Sequence, residues 1–541
     1  MLKVSSAVLF FLLLVTTLNA VAQQDVITDG PEADSLFKKI TDLNIPGLSV
    51  TNIRFVQKGT PFKPANSAGE IKDLPDFCRV AATLKPTPQS YIRIEVWLPQ
   101  HNWNGRLLGT GNGGGAGGIA YAALANGLQR GYATANTDMG TSRGGANAAV
   151  GQPGVWADFG YRATHLMTVA SKAILKTYYG KVQHHAYFMG CSTGGQQALM
   201  EAQRFPDDYN GIIAGAPANN RTHLHTGFLL NNRLMNEGGV KLFTDQELAF
   251  ISRKIIATVA GKDGGAPGDN FLTDPAAVRI NFDALFKCKG GGDTCLNDAQ
   301  IAALKKIYAG AVNPVTGEQI YTAPPLGSEN VSGGLIYQQT AKGANDLFYQ
   351  FKWVFGDNFD ASKFNFSTDM DKMDAMLAPI LNANNADLEP IKKLGGKIIM
   401  YTGTADALVP YQDAANYYER VVQRQHGLKQ TQSFFRYFLV PGMGHCSGGP
   451  GLNGFGGKPD SEHDLLLAIV AWVENGKAPD KLIATALSCC GVPNPVRFQR
   501  PVYPYPKFPA YVKGDVNAPS SYKAVTHKTN NLLKPAEKYL K

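Results

Sequence analysis

Basic residues are nowhere concentrated in this chain, and its longest apolar run lies within the first twenty residues. No dense Lys/Arg tract accompanies the formal net charge of +9. A nucleic-acid groove therefore has no electrostatic footprint, and the basic balance serves solubility. No later stretch is long and apolar enough to cross a bilayer. Cys-x-x-Cys pairs and Cys/His clusters at zinc spacing are missing, which argues against a zinc site. The glycine-rich tract Thr110–Gly118 lacks both the Lys-Ser/Thr of a P-loop and a G-x-G-x-x-G context, which argues against nucleotide binding. No internal repeat is visible.

What is present begins with a targeting signature. Lys3 supplies a positive start, Ala7–Leu14 an apolar stretch, and Ala20-Val21-Ala22 a small-residue cleavage site before Gln23. Residues 1–22 are thus expected to be a signal peptide, and the mature chain to be secreted or periplasmic with no membrane contact. Its seven cysteines would then meet an oxidising compartment, where disulfides persist. Cys288 and Cys295 enclose a short glycine-rich loop that suits a local bridge. Cys78, Cys489 and Cys490 have no obvious partners, and an odd count leaves at least one thiol outside intrachain pairs. Hydrophobic content of 44% and charged content of 18% describe an ordinary globular protein.

Pattern along the chain gives an α/β reading. Ser90–Pro99 alternates apolar and polar residues, as a half-exposed, outer antiparallel strand should. Strand signals at Arg106–Leu108, Tyr132–Asp138, His185–Met189 and Gly211–Gly215 alternate with helical segments at Tyr121–Arg130, Tyr161–Tyr179 and Gly195–Phe205. That rhythm predicts a doubly wound, largely parallel sheet. It stops after Pro217 and returns at Lys397–Tyr401 and Phe434–Val440. Unstructured connections of that length are rare, so residues 219–390 are expected to form an inserted domain with helices at Asp245–Val259 and Asp298–Tyr308. Residues 23–218 and 391–541 would build the sheet domain. Asp464–Asn475 reads as a late helix, and the proline- and tyrosine-rich end as an extended surface tail.

The chemistry concentrates in three loops. Gly190-Cys191-Ser192-Thr193-Gly194 is a G-x-S-x-G frame between a strand and a helix, the setting of a strained nucleophile turn. A serine hydroxyl needs a base and an orienting acid. Asp406 follows the strand at Lys397–Tyr401, and His445 follows the strand at Phe434–Val440. The order Ser, Asp, His is that of an α/β-hydrolase. Each residue falls at a strand's carboxyl end, where open α/β sheets place their sites. Ser192 is the expected nucleophile, His445 the base and Asp406 its orienting acid. Oxyanion donors are expected at the backbone N–H of Thr193 and in the glycine-rich loop at Gly114. If Ser192 and His445 meet, their neighbours Cys191 and Cys446 come within disulfide range.

These residues resemble the tannase and feruloyl esterase family, in which a Cys-Ser nucleophile and a His-Cys base are joined by that disulfide. The resemblance extends over Phe77–Val80, Trp103–Arg106, Gly190–Ala218 and Val440–Gly451. It implies an α/β-hydrolase doubly wound sheet with a large inserted lid domain. It also implies hydrolysis of galloyl, hydroxycinnamoyl or related aromatic esters, free or on a plant polymer, with no cofactor needed for catalysis. The family's lid carries a structural calcium loop, and the corresponding stretch here is Ala260–Asn270, which offers Asp263 and Asp269 as the remaining metal ligands. The aromatic stretch Phe348–Phe355, with Trp353 and Phe355, offers side chains for an acid pocket. Two other readings fit the same residues: an esterase for acetyl esters or synthetic aromatic diesters, and a non-catalytic carbohydrate-binding scaffold.

Overall fold

The computed structural model describes residues 27–64, 69–142, 149–236, 240–288, 295–340, 347–488, 495–526 and 532–541. The expected signal peptide, Cys489 and Cys490 lie outside the described residues. Seventeen strands occur among those described: β1 (Ile27–Thr28), β2 (Leu48–Val56), β3 (Phe77–Leu84), β4 (Ile92–Pro99), β5 (Arg106–Thr110), β6 (Ala133–Thr137), β7 (His185–Cys191), β8 (Gly211–Gly215), β9 (Ala311–Val312), β10 (Gln319–Tyr321), β11 (Lys397–Gly403), β12 (Phe435–Val440), β13 (Gly454–Phe455), β14 (Leu482–Leu487), β15 (Val496–Val502), β16 (Lys507–Tyr511) and β17 (Tyr522–Thr526). The helices that matter for the site are α1 (Ala163–Tyr179), α2 (Thr193–Arg204), α3 (Arg221–Met235), α4 (Tyr349–Phe355), α5 (Tyr411–Arg424) and α6 (Leu465–Asn475).

Ten strands form the central sheet in the order β1-β2-β3-β4-β6-β5-β7-β8-β11-β12. From β6 to β12 every pairing is parallel, while β2, β3, β4 and β6 pair antiparallel. Successive side chains of a strand face opposite ways, and the two faces bury different helices. Ile212, Ile398 and Met400 pack with residues of α1, α2 and α5. Ile213, Ile399 and Tyr401 pack under Ile469 and Trp472 of α6. Helix α6 is delimited locally: the Asp464 side chain accepts the N–H of Leu467 at 2.8 Å, and Gly476 ends it at φ 68°.

Two expectations need correction. β4 is an interior strand, flanked by β3 and β6, and only Arg93 on it is not fully buried. Its charged residues are paired: Glu95 with Arg79, and the partly exposed Arg93 with the buried Asp138. The C-terminal part is not an extended tail, since β14–β15 and β16–β17 form antiparallel pairs. Between β8 and β11 the described chain is mostly helical, with the small β9–β10 ribbon. Part of it has a core of its own around Leu248, Ile251, Ile301 and Leu304. Another part, with Leu224, Phe228 and Trp353, packs on Trp156 and Phe159 from the N-terminal half.

Candidate active site

Adjacent parallel strands β7, β8, β11 and β12 deliver their carboxyl ends to one edge of the sheet. Ser192 follows β7 in a strained conformation, φ 64° and ψ −118°, sparsely populated for any residue with a side chain. Glycines make that turn possible. A Cβ on Gly190 would lie 2.4 Å from the carbonyl oxygen of Gly194, and one on Gly195 would lie 2.2 Å from that of Gly215. The backbone N–H of Ser192 is tied to Gly215 at 3.0 Å, and that of Gly194 to Asn112 at 2.7 Å. The amide of Thr193, at the head of α2, has no acceptor among the described residues, and neither has that of Gly114.

Asp406 is fully buried after β11. One carboxylate oxygen accepts the N–H groups of Leu408 and Val409 at 3.0 and 2.8 Å; the other accepts from Nδ1 of His445 at 2.8 Å. The two loops are pressed together at Gly403, where a Cβ would meet the carbonyl oxygen of Met443 at 2.1 Å. Burial pulls the His445 imidazole pKa down, but the charge and hydrogen bond of Asp406 outweigh it, so the net shift is upward. Cys191 and Cys446 are bonded, with Cα atoms 5.9 Å apart, and join the nearest neighbours of Ser192 and His445. Cys288 and Cys295 are also bonded. Cys78 is a free, fully buried thiol in β3, and burial pushes its pKa up to about 12.

Ser192, Thr193, His445 and both bridged cysteines line one cavity of about 960 Å³, together with the glycine-rich loop at Gly113–Ala116. Its farther walls come from the segment between β8 and β11. There Leu224, Phe228, Tyr337 and Tyr349 present apolar and aromatic surface, and Arg221, His225 and Lys352 present nitrogen. Trp353 and Phe355 do not line it. Trp353 packs edge-on against Phe159 and is core, while Phe355 is half-buried against Phe359 and Phe364. From α4 the cavity takes Tyr349 and Lys352 instead, spaced i, i+3. Sequence reading also missed Arg221. The available signal was that it begins the first helix after β8, whose carboxyl end faces the site.

The acidic loop corresponding to a calcium site does not fit a cation. Asp269 is held in a two-pronged ion pair by Arg500, with Nη1–Oδ2 at 2.7 Å and Nη2–Oδ1 at 2.6 Å. Asp263 accepts backbone N–H groups from Gly265, Thr273 and Asp274. Positive charge and N–H dipoles already occupy the carboxylate lone pairs that calcium would need. Asp263 and Asp269 are therefore not metal ligands in this arrangement.

The family model for tannase and feruloyl esterase matches residues 78–525. An uncharacterized esterase of Xanthomonas campestris pv. campestris is 34% identical over 87% of this chain and 87% of its own. A probable feruloyl esterase B-2 of Aspergillus oryzae is 31% identical over 88% of this chain and 92% of its own. Among solved structures, feruloyl esterase B from Aspergillus oryzae superposes with a TM-score of 0.82 at 28% identity, covering 91% of this chain and all of that one. The tannin acyl hydrolase of Aspergillus niger shares the fold, with a TM-score of 0.72 at 20% identity over 91% of this chain and 95% of its own. A G-x-S-x-G turn at the sheet edge and a histidine bonded to a buried aspartate accord with those matches: the chain belongs to the tannase and feruloyl esterase family and is a carboxylic ester hydrolase.

Proposed function

We propose that this protein is an exported serine esterase that releases an aromatic acid of the hydroxycinnamoyl or galloyl type through an acyl-enzyme. The observation that carries the reading is the Cys191–Cys446 bridge, which joins the neighbours of Ser192 and His445 at the wall of the cavity. In the first half-reaction His445 takes the proton of Ser192 while Oγ attacks the ester carbonyl. The tetrahedral oxyanion receives the amides of Thr193 and Gly114, both free of other acceptors among the described residues. Collapse expels the alcohol, which takes its proton from the imidazolium. Water then repeats the sequence on the acyl-enzyme, releasing the acid and Ser192. Asp406 holds the imidazole with Nδ1–H toward itself and stabilises the imidazolium.

Residues 219–390 act as a lid in this reading, because they supply the aromatic and aliphatic walls opposite Ser192. Phe228, Tyr337 and Tyr349 suit a planar aromatic acid. Free esters and ester-decorated plant polymers are both candidate substrates, while nucleic acid and membranes have no place in the mechanism. The Lys3, Ala7–Leu14 and Ala20–Ala22 pattern supports export with cleavage before Gln23.

The test offers the purified protein methyl ferulate, methyl gallate and p-nitrophenyl acetate. Turnover of one of the two aromatic esters, abolished in Ser192→Ala, is expected. Activity surviving that substitution would sink the mechanism. Turnover of the acetate alone would remove the aromatic-acid assignment but keep the serine chemistry.

A further inference from the structure

Arg221 is 2% exposed and stands at the first position of α3. Its guanidinium reaches three groups at once. Nη1 donates to Oγ1 of Thr193 at 3.1 Å, and Nη2 donates to the carbonyl oxygen of Gly114 at 2.9 Å and to the hydroxyl of Tyr349 at 2.5 Å. The Thr193 hydroxyl itself donates to that Gly114 carbonyl at 2.6 Å. Arg221, Thr193 and Gly114 therefore close a triangle of hydrogen bonds between the nucleophile turn and the glycine-rich loop.

The charge in this triangle is uncompensated. No carboxylate pairs with Arg221 among the described residues, and its Nε atom has no hydrogen-bond partner. The face of Phe159 lies 4.9 Å from its Cζ atom. Burying a cation without a counter-ion is costly, so an arginine serving packing alone is out of place here. His225, one turn farther along α3, registers that charge. Burial first, and Arg221 second, lower its pKa to about 3, which keeps it neutral.

We propose that Arg221 is a positioning residue of the oxyanion hole, gripping Gly114 and Thr193 in one fork so that their amides stay at the spacing a tetrahedral intermediate requires. The inference rests on the serine esterase reading. A loop with glycines at positions 113, 114 and 115 has little stiffness of its own. A planar guanidinium with two parallel donors supplies the rigid spacer that a flexible ammonium does not. Its charge also favours the oxyanion over the neutral ester, so its effect falls on kcat rather than on KM.

The experiment uses the full-length, oxidised protein and the variants Arg221→Met, Arg221→Lys, Thr193→Val and the Met/Val double. Steady-state constants are measured with p-nitrophenyl acetate and methyl ferulate, and affinity is measured for phenylboronic acid, which forms a tetrahedral adduct with an active serine. Arg221→Met is expected to lower kcat about 10- to 100-fold, somewhat less than the loss of a direct oxyanion donor. KM should stay within about threefold, and boronate affinity should fall in parallel with kcat. Thr193→Val should give a smaller loss of the same kind. The double variant should lose less than the product of the two, because both break one network. Arg221→Lys, with the charge but not the fork, should fall between Met and the native enzyme. Native kcat and boronate affinity in Arg221→Met would overturn the inference, as would a loss confined to KM or to melting temperature. Multiplicative single losses would overturn it too. Should the Met variant fail to fold, Thr193→Val and Arg221→Lys carry the same comparison. Activity in Ser192→Ala would defeat the serine reading itself, whereas a dead Ser192→Ala beside a fully active Arg221→Met defeats only the role of Arg221.

Discussion

On the proposed mechanism His445 must be neutral to take the proton of Ser192, and its surroundings pull in opposite directions. Burial disfavours the imidazolium, while Asp406 favours it through charge and a 2.8 Å hydrogen bond and prevails. The folded-state pKa is therefore above the ordinary 6.5, and the base is lost as pH falls through that raised value. The acid limb of kcat/KM should have its midpoint above 6.5, because that limb reports the free enzyme. Asp406→Asn removes the raising influence and leaves burial. Its acid limb should move to lower pH, while kcat drops by about 10³–10⁴-fold as the tautomer is lost. An unmoved limb would show that another group titrates there. Ser192, Asp406 and His445 were legible as candidates one by one, because each stands in the loop after an apolar strand. His225 and Lys352 were not, because nothing in their local pattern separates a cavity wall from a helix surface, and for Arg221 the one signal was its place at the start of the first helix after β8.

Among the elements, the loop from Asp263 to Asp274 is held by protein groups rather than by a cation. Arg500 of β15 is 3% exposed and Asp269 is 7% exposed in side-chain terms, and the guanidinium also faces Phe271, Phe498 and Tyr522 at 5.1, 5.0 and 4.9 Å. Arg500→Met leaves a buried carboxylate without its partner, and a loss of about 3–5 kcal/mol is expected in denaturant unfolding. EDTA should leave both melting temperature and ester turnover unchanged; a chelator-dependent drop in melting temperature would contradict this account. The pattern of strands and helices was largely readable, and β8 at Gly211–Gly215 matches its expected span. β4 misled because its alternating Arg and Glu suggested water, whereas those charges meet Asp138 and Arg79 inside the sheet. The C-terminal prolines suggested a tail, yet Pro501 and Pro509 sit within paired strands.

For the whole molecule, the Cys191–Cys446 bridge covalently joins the two stretches of chain that build the sheet, across a separation of 255 residues. Chain entropy sets its stabilisation at roughly 5 kcal/mol as an upper bound. The double substitution Cys191→Ser/Cys446→Ser should lower unfolding stability by up to that amount and reduce kcat, since the His445 loop would no longer be tied to the Ser192 turn. A non-reducing peptide map should recover the two cysteines in one linked fragment. Alkylation of both in native, oxidised protein would refute the clasp. Cys78, buried and with its thiol pushed up to about 12, should resist the same reagent until the protein unfolds.

The sequence alone was enough for the sheet class, the Ser-Asp-His order, the paired cysteines beside serine and histidine, and the family resemblance. All of these are properties of short segments and of covalent neighbours, whose periodicity and spacing survive in one dimension. Only the tertiary structure decided that Arg500 sits on Asp269, 231 residues away, and that Arg221 grips Gly114 across 107 residues. It also decided which face of α4 reaches the cavity. Such pairings arise when packing brings distant side chains together, and a local pattern of apolar and polar residues contains no record of which distant group will arrive.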